Sequence, residues 1–238
     1  MFLSLKPIKT AALNETIERH LFEFMNRDRI SHFYTIYDLT RLREKTQTWV
    51  ALSNNKVVGY SMEFEKRILT TRGNEKCIIP LLKNTDLTTP IFNIEPQHLA
   101  AATKLFEPTE PPDKMTIGTT TTFLTMKTTP KTSKPNIKHN VQQLTKEHAQ
   151  ALAKLLGVEL QRADDLLRGI GFGIFKGNRL VASAVSPEIL EDLAIIRGVH
   201  TASEERNKGY ATSVCSALVQ KLNEQGKDAM LYVSKDNP

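Results

Sequence analysis

An apolar strand, Leu193 to Val199, empties into a short charged loop that opens directly onto an amphipathic helix, and this arrangement constrains the fold more than any other feature. The run reads Gly198-Val199-His200-Thr201-Ala202-Ser203-Glu204-Glu205-Arg206-Asn207-Lys208-Gly209-Tyr210-Ala211-Thr212. Beyond it, Ala211, Val214, Cys215, Leu218, Val219 and Leu222 fall at the i, i+3, i+4, i+7, i+8, i+11 spacing of one buried helical stripe. Ser213, Gln220 and Lys221 are assigned to other faces, and Gly226 is placed to stop the helix. A second apolar strand, Ala229-Met230-Leu231-Tyr232-Val233, follows at once. Strand, loop, helix and strand make a βαβ unit, whose crossover is expected to be right-handed and its strands parallel.

A glycine-containing turn between a strand and a helix N-terminus is a place where backbone N–H groups hold phosphates. The first free N–H groups of the helix point towards Arg206 to Gly209. Gly209 lacks a Cβ, so a diphosphate can approach the backbone closely there, and Arg206 and Lys208 add positive charge. The pattern Arg-x-x-Gly-x-Ala is weak alone; the strand before it and the helix after it give it specificity. The plain alternative is an ordinary strand-to-helix turn with solvated charges.

Gly198-Val199-His200-Thr201 followed by Arg206-Asn207-Lys208-Gly209-Tyr210-Ala211 resembles the acetyl-CoA motif of the GNAT N-acetyltransferase superfamily. Within it, the segment is most similar to the branch related to glycine N-acyltransferases, with His200 in place of the usual Tyr. Leu231-Tyr232-Val233 and then Asn237 also fit, because the family places an Asn beside the cofactor after its fifth strand. The resemblance covers about the last hundred residues. It implies a mixed-sheet α/β GNAT-like fold, binding of acetyl-CoA or another acyl-CoA, and transfer of the acyl group to a primary amine. It also implies that Val199 and Thr201 pair with the pantetheine amides and that the backbone of Asn207 to Thr212 holds the phosphates. The family continues beyond the Asn with a helix carrying a Tyr and two more strands, whereas this sequence stops at Pro238. Truncation at this end is the expected explanation; absence of the usual proton donor is the other.

The balance of 40% hydrophobic and 24% charged residues over 238 positions fits one large globular domain or two of ordinary size. No apolar stretch approaches the length of a membrane span, and Met1 to Lys6 is too short for a signal peptide. Cys77 and Cys215 are expected as core thiols in a reducing compartment, which points to the cytoplasm. No metal is expected. The net charge of +6 admits nucleic acid, a membrane surface or a polyanionic ligand such as CoA. The densest basic stretch, Lys127 to His139, interleaves Lys131, Lys134 and Lys138 with Thr and Pro rather than aromatics, so neither nucleic acid nor a membrane is expected as partner.

Thr128 to Pro135 is rich in residues that punctuate structure, and residues 131–137 are expected to be a solvated linker. It would separate a domain of residues 1–130, ending in a Thr-rich strand within Lys114 to Met126, from an acetyl-CoA-binding domain of residues 138–238. Trp49 to Gly59 resembles Phe172 to Ala182: each is an apolar strand, a tight turn on Asn, a basic residue and a second apolar strand, hence a β-hairpin. Helical patterns precede each hairpin, with Ile17, Leu21, Phe24 and Met25 in the first and Leu152, Leu155 and Leu156 in the second. No basic glycine loop follows the first hairpin, so the N-terminal half is expected to be a degenerate GNAT-like copy, two tandem domains in all. An unrelated α/β domain is the alternative.

Acyl transfer from a thioester needs a deprotonated amine, a polarised carbonyl and a protonated leaving thiolate. Main-chain N–H groups around Val199 and His200 are candidates for the thioester oxygen. His200 is the candidate catalytic base, since its titration range suits neutral pH; a half-buried strand His bonded to a neighbouring backbone group is the alternative. Glu188, Glu191 and Asp192 before the strand, Glu204 and Glu205 beyond it, and ordered water remain open as bases. Tyr34, Tyr37, Arg41 and Arg43 are candidate rim residues for the acceptor. Three functions stay open: an acetyltransferase acting on a small amine or amino acid, a protein or peptide acetyltransferase, and a non-catalytic CoA-binding module.

Overall fold

The computed structural model describes residues 8–85, 91–106 and 121–237, and the chain divides into two compact units, residues 1–120 and 121–238. In the first unit, β1 (Lys9–Ala12), α1 (Glu15–Met25) and α2 (Phe33–Arg41) precede β2 (Thr46–Ser53), β3 (Lys56–Phe64) and β4 (Ile68–Gly73). A crossover helix α3 (Glu75–Leu82) leads to β5 (Ile91–Asn93), and α4 (Leu99–Phe106) follows. The sheet order is β1-β2-β3-β4-β5, antiparallel except for the parallel β4–β5 pair. The expected hairpin is β2–β3, turned by Asn54 and Asn55 at φ 53° and 58°, a left-handed pair that suits a type I′ turn. Leu21 and Met25 of α1 are fully buried, as their spacing predicts, while α3 packs Cys77, Ile78, Leu81 and Leu82 against Ala51 and Leu69.

From its second strand on, the second unit follows a similar succession, with an additional strand ahead of it and two strands before its crossover helix. It runs β6 (Phe123–Thr128), β7 (Gln142–Leu144), α5 (Ala149–Leu156), α6 (Leu160–Leu166), β8 (Ile170–Lys176) and β9 (Arg179–Ser186). Then come β10 (Leu193–Ile195), β11 (Arg197–Thr201), α7 (Tyr210–Glu224) and β12 (Asp228–Ser234). One sheet is ordered β11-β9-β8-β7 and the other β10-β12-β6. The predicted βαβ unit is present, with β10 and β12 parallel. On one side of the sheet Ala182, Ala184 and Ile196 pack against Val214, Leu218 and Leu222 of α7. On the other, Leu180 and Val185 pack against Leu152 of α5 and Ala163 of α6. Burying Val214, Leu218 and Leu222, each at 0% exposure, stabilises the crossover by roughly 1.5–3 kcal/mol apiece. Gly226, at φ 72°, ends α7 in a Schellman turn: Lys227 N–H donates to Leu222 O at 3.0 Å and Gly226 N–H to Asn223 O at 2.9 Å.

Three expectations change. The strand Leu193 to Val199 is two strands in two sheets, broken at Ile196. The Thr-rich strand expected to end the first domain is β6, which pairs antiparallel with β12 inside the second unit; residues 114–120 of that stretch lie outside the described residues. The 131–137 segment likewise lies within the second unit, and chain leaving it runs along α7: Asn136 N–H donates to Ser216 Oγ at 2.9 Å and Lys138 N–H to Ser213 Oγ at 3.1 Å. That cover buries Ser213 to 1% exposure, although helical periodicity alone places it off the buried stripe. Both cysteines are free thiols, Cys77 buried and Cys215 partly so, and burial pushes each thiol up to about 11. Among the described residues, no helix is long and apolar enough to cross a membrane.

Candidate functional site

The break at Ile196 opens a fork between two parallel strands. Pairing of β10 with β12 runs from Leu193↔Asp228 to Ile195↔Met230, and the last link is Ile196 N–H to Met230 O at 2.7 Å. From there β11 pairs with β9 and β12 with β6. Gly198, at φ 54°, sits in the irregularity between Arg197 and His200, where Gly198 and Val199 of β11 stand against Ala184 alone of β9. A Cβ at Gly198 would lie 3.0 Å from a Val185 methyl, so the bulge needs glycine both for its backbone and for its fit. Ser183 Oγ–H donates to Gly198 O at 2.8 Å and fixes the kink from below.

Main-chain direction along β11 follows from alternation. Ala202 N–H donates to Val181 O at 2.9 Å, so the amide of His200 is turned towards β9 and those of Val199 and Thr201 towards the fork. Of the two amides expected around the thioester oxygen, alternation therefore leaves that of Val199. Val199 is 43% exposed, an apolar side chain beside an open strand edge. His200 sits opposite Ser183, half-buried, and its ring makes no hydrogen bond to the described residues. The alternative of a structural His bonded to nearby backbone therefore has no bond to support it.

The fork leads to the loop. Thr201 ends β11, and Ser203 to Glu205 form one turn of 3-10 helix. Asn207 at φ 62° and Gly209 at φ 80° then turn the chain through two left-handed positions. Ser213 N–H to Gly209 O, at 3.1 Å, is the first bond of α7, so the amides of Tyr210, Ala211 and Thr212 precede the helical ladder and have no intrahelical acceptor. Among the described residues a Cβ at Gly209 would meet only His139 Nε2, at 3.6 Å, so these leave the approach to the amides open. His139 Nε2–H donates to Lys208 O at 2.8 Å, and its ring stands edge-on to Tyr210 with centroids 4.5 Å apart.

Charged groups surround this loop. Lys176, at the end of β8, places Nζ 2.8 and 2.9 Å from the two Glu205 oxygens and 5.8 Å from the Tyr210 ring centroid. Lys208 Nζ is 2.8 Å from Glu205 Oε2 and 3.2 Å from Glu204 O. Hydrogen bonds from Lys176 first and Lys208 second hold the Glu205 carboxyl down at about 2. Arg179 pairs with Glu204, and Arg206 Nε reaches Thr201 O at 3.4 Å. Of the acidic groups before the strand, Glu188 accepts from Arg197 at 2.8 Å and keeps its second oxygen buried without a partner. Asn237 lies exposed beyond β12, with its N–H on Ser234 O at 3.0 Å. The structure thus brings Val199, His200, Thr201 and the Arg206–Thr212 loop into one fork and helix mouth. Lys176 and His139 carry no local sequence pattern that marks them as site residues; the basic residue of the hairpin pattern is Arg179.

The corresponding place in the first unit is closed. There only Asn74 separates β4, which ends at Gly73, from α3. Gly73 N–H donates to Glu95 Oε2 at 3.1 Å, and Lys76 N–H donates to Asn74 Oδ1 at 3.0 Å. A carboxylate and a cap side chain hold donors that an anion would need. The N-terminal rim candidates Tyr34, Tyr37 and Arg41 lie on α2, and Arg43 is engaged by Glu18.

Residues 121–231 match the family model described as GNAT acetyltransferase. The chain matches no curated protein. Among solved structures, a Drosophila protein aligns over 96% of this chain and 90% of its own, at 10% identity and a TM-score of 0.67. A tandem GNAT protein from the clavulanic acid biosynthesis pathway aligns over 98% of this chain and 91% of its own, at 10% identity and a TM-score of 0.54. A GNAT-family structure from Novosphingobium aromaticivorans is matched at 19% identity over 55% of this chain and 60% of that one, under two thirds of its length, with a TM-score of 0.45.

Proposed function

We propose, from the match of residues 121–231 to the GNAT acetyltransferase family model, that this chain is an N-acetyltransferase moving the acetyl group of acetyl-CoA to a primary amine, a small molecule or amino acid. The observation that carries the reading is the fork between β11 and β12 leading straight to the unladdered amides at the start of α7. The residues fit the donor. Amides of Asn207 to Thr212 would hold the diphosphate, with Arg206 and Lys208 beside it. Main-chain groups of Val199 and Thr201 would pair with the pantetheine amides, and Asn237 would complete the cofactor's surroundings. The sequence Gly-Val-x-Thr…Arg-x-x-Gly-Tyr-Ala favours the glycine N-acyltransferase-like branch.

Bound acetyl-CoA would supply the thioester, whose C–S bond breaks as the amine nitrogen bonds to its carbonyl carbon; the proton lost by the nitrogen balances the one taken up by the departing thiolate. The Val199 N–H donates towards the carbonyl oxygen, where negative charge develops. His200, with an uncommitted ring, takes the proton from the attacking nitrogen. The first unit reads as a tandem copy without a cofactor site. Its order of strands and helices is similar to that of the second unit from β7 on, and it too ends its sheet in a parallel pair, but Glu95 and Asn74 occupy the mouth of its crossover helix. The test is a panel of acyl-CoA donors and amine acceptors with free thiol as readout, including peptides in competition with free amino acids. Turnover of free amines supports the reading; release of thiol with peptides alone moves the assignment to a protein acetyltransferase, and binding without turnover across the panel overturns catalysis.

A further inference from the structure

We propose that Lys176, together with Lys208, receives the 3′-phosphate of coenzyme A, and that Glu205 holds both ammonium groups in place until that phosphate displaces it; this rests on the acyl-CoA reading above. Lys176 belongs to the β8–β9 hairpin rather than to the loop, yet its Nζ stands over Tyr210, the first residue of α7, at 5.8 Å from the ring centroid. The amides of residues 207–212 account for a diphosphate without it. Two ammonium groups share the single charge of Glu205, at 2.8 to 2.9 Å, which leaves the trio with one surplus positive charge. A phosphate monoester, with a charge of about −1.5 to −2 and three acceptor oxygens, matches two ammonium groups better than a carboxylate does. Around the trio, Arg179 is offset by Glu204, while among the described residues Arg206 has only a long contact to Thr201 O at 3.4 Å, so the field over the loop stays positive. Glu205 keeps its charge throughout the neutral range, because both lysines hold it ionised. The exchange is therefore of one anion for another and needs no proton.

The test compares CoA with dephospho-CoA, which keeps the diphosphate and pantetheine and lacks only the 3′-phosphate, by titration calorimetry on the full chain. Wild type is expected to bind CoA about tenfold more tightly, a preference of about 1.4 kcal/mol. Lys176→Met removes most of that preference while leaving affinity for dephospho-CoA within about twofold. Glu205→Gln, which frees both ammonium groups, widens it. Equal affinities in wild type, an undiminished preference in Lys176→Met, or a narrowed one in Glu205→Gln overturns the inference and leaves the acyl-CoA reading standing. Binding of neither nucleotide overturns both. Thermal melting of each variant checks that the fold is retained, as is expected for side chains on an exposed hairpin and loop.

Discussion

Replacing Gly209 by aspartate should leave the second unit folded and abolish binding of coenzyme A. Gly209 adopts φ 80°, where any side chain costs about 1 kcal/mol of backbone strain, and aspartate tolerates that region better than most residues. Space is not the obstacle, since among the described residues a Cβ there would meet only His139 Nε2 at an ordinary 3.6 Å. For a unit of residues 121–238 that strain translates into a melting temperature lower by about 3–5 °C. Binding suffers far more. The new carboxylate stands at the start of α7, beside the amides of Tyr210, Ala211 and Thr212, and opposes a diphosphate seated there. Two like charges 4 Å apart repel by about 4 kcal/mol at an effective dielectric constant of 20, so a loss of at least 100-fold in affinity is expected after solvent screening. Gly209→Ala carries the backbone strain without the charge and should lose at least tenfold less than the aspartate. Titration calorimetry with CoA, paired with circular-dichroism melting, reads both effects. A folded Gly209→Asp protein that binds CoA within threefold of wild type would refute the placement of the diphosphate.

Three further outcomes are expected. Calorimetry on the full chain should give one CoA per chain, because the first unit's mouth is held by Glu95 and Asn74; a stoichiometry of two would contradict the closed copy. His200→Gln should lower kcat by roughly 10²-fold or more with CoA affinity unchanged, and an unchanged kcat would remove His200 from the proton-transfer role. Stability of the first unit should fall between about pH 6.5 and pH 4. His32, bonded through Nδ1 to Tyr60 Oη at 2.8 Å, is pulled down to about 4, chiefly by burial and next by the charge of Arg72. Between those values the unfolded chain binds a proton that the folded chain refuses, so stability is complete above the unfolded value and is lost on acidification. Urea midpoints across that range, compared with those of His32→Gln, check it: the variant's profile should be flatter, and an equally steep one would place the loss elsewhere.

Local pattern accounts for what the sequence shows well. The stripe of α7, the hairpin turns at Asn54-Asn55 and at Gly177, and the Gly226 stop are each written within a dozen residues, where periodicity and backbone preference decide the outcome. The strand break at Ile196 is different. Leu193 to Val199 reads as one apolar run, and only the choice of partner, β12 before the break and β9 after it, divides it. Gly198 was the one residue that could have flagged the kink. The Thr-rich strand illustrates the same limit: its residues specify a strand, but its pairing with β12 joins segments about a hundred residues apart, so the unit it belongs to was not legible. At the site, the glycine loop and its flanking cations were readable because a phosphate cradle has a fixed order of strand, turn and helix. His139 and Lys176 were not, because each enters from a distant segment through a single side chain.

The most direct measurement is hydrogen exchange of the full chain with and without CoA, followed by mass spectrometry at peptide level. CoA should slow exchange in peptides spanning residues 197–212, where the fork of β11 and the amides of Asn207 to Thr212 lie, and should leave Gly73 to Leu82 of the first unit unchanged. Saturable CoA binding with no protection in residues 197–212 would contradict the account.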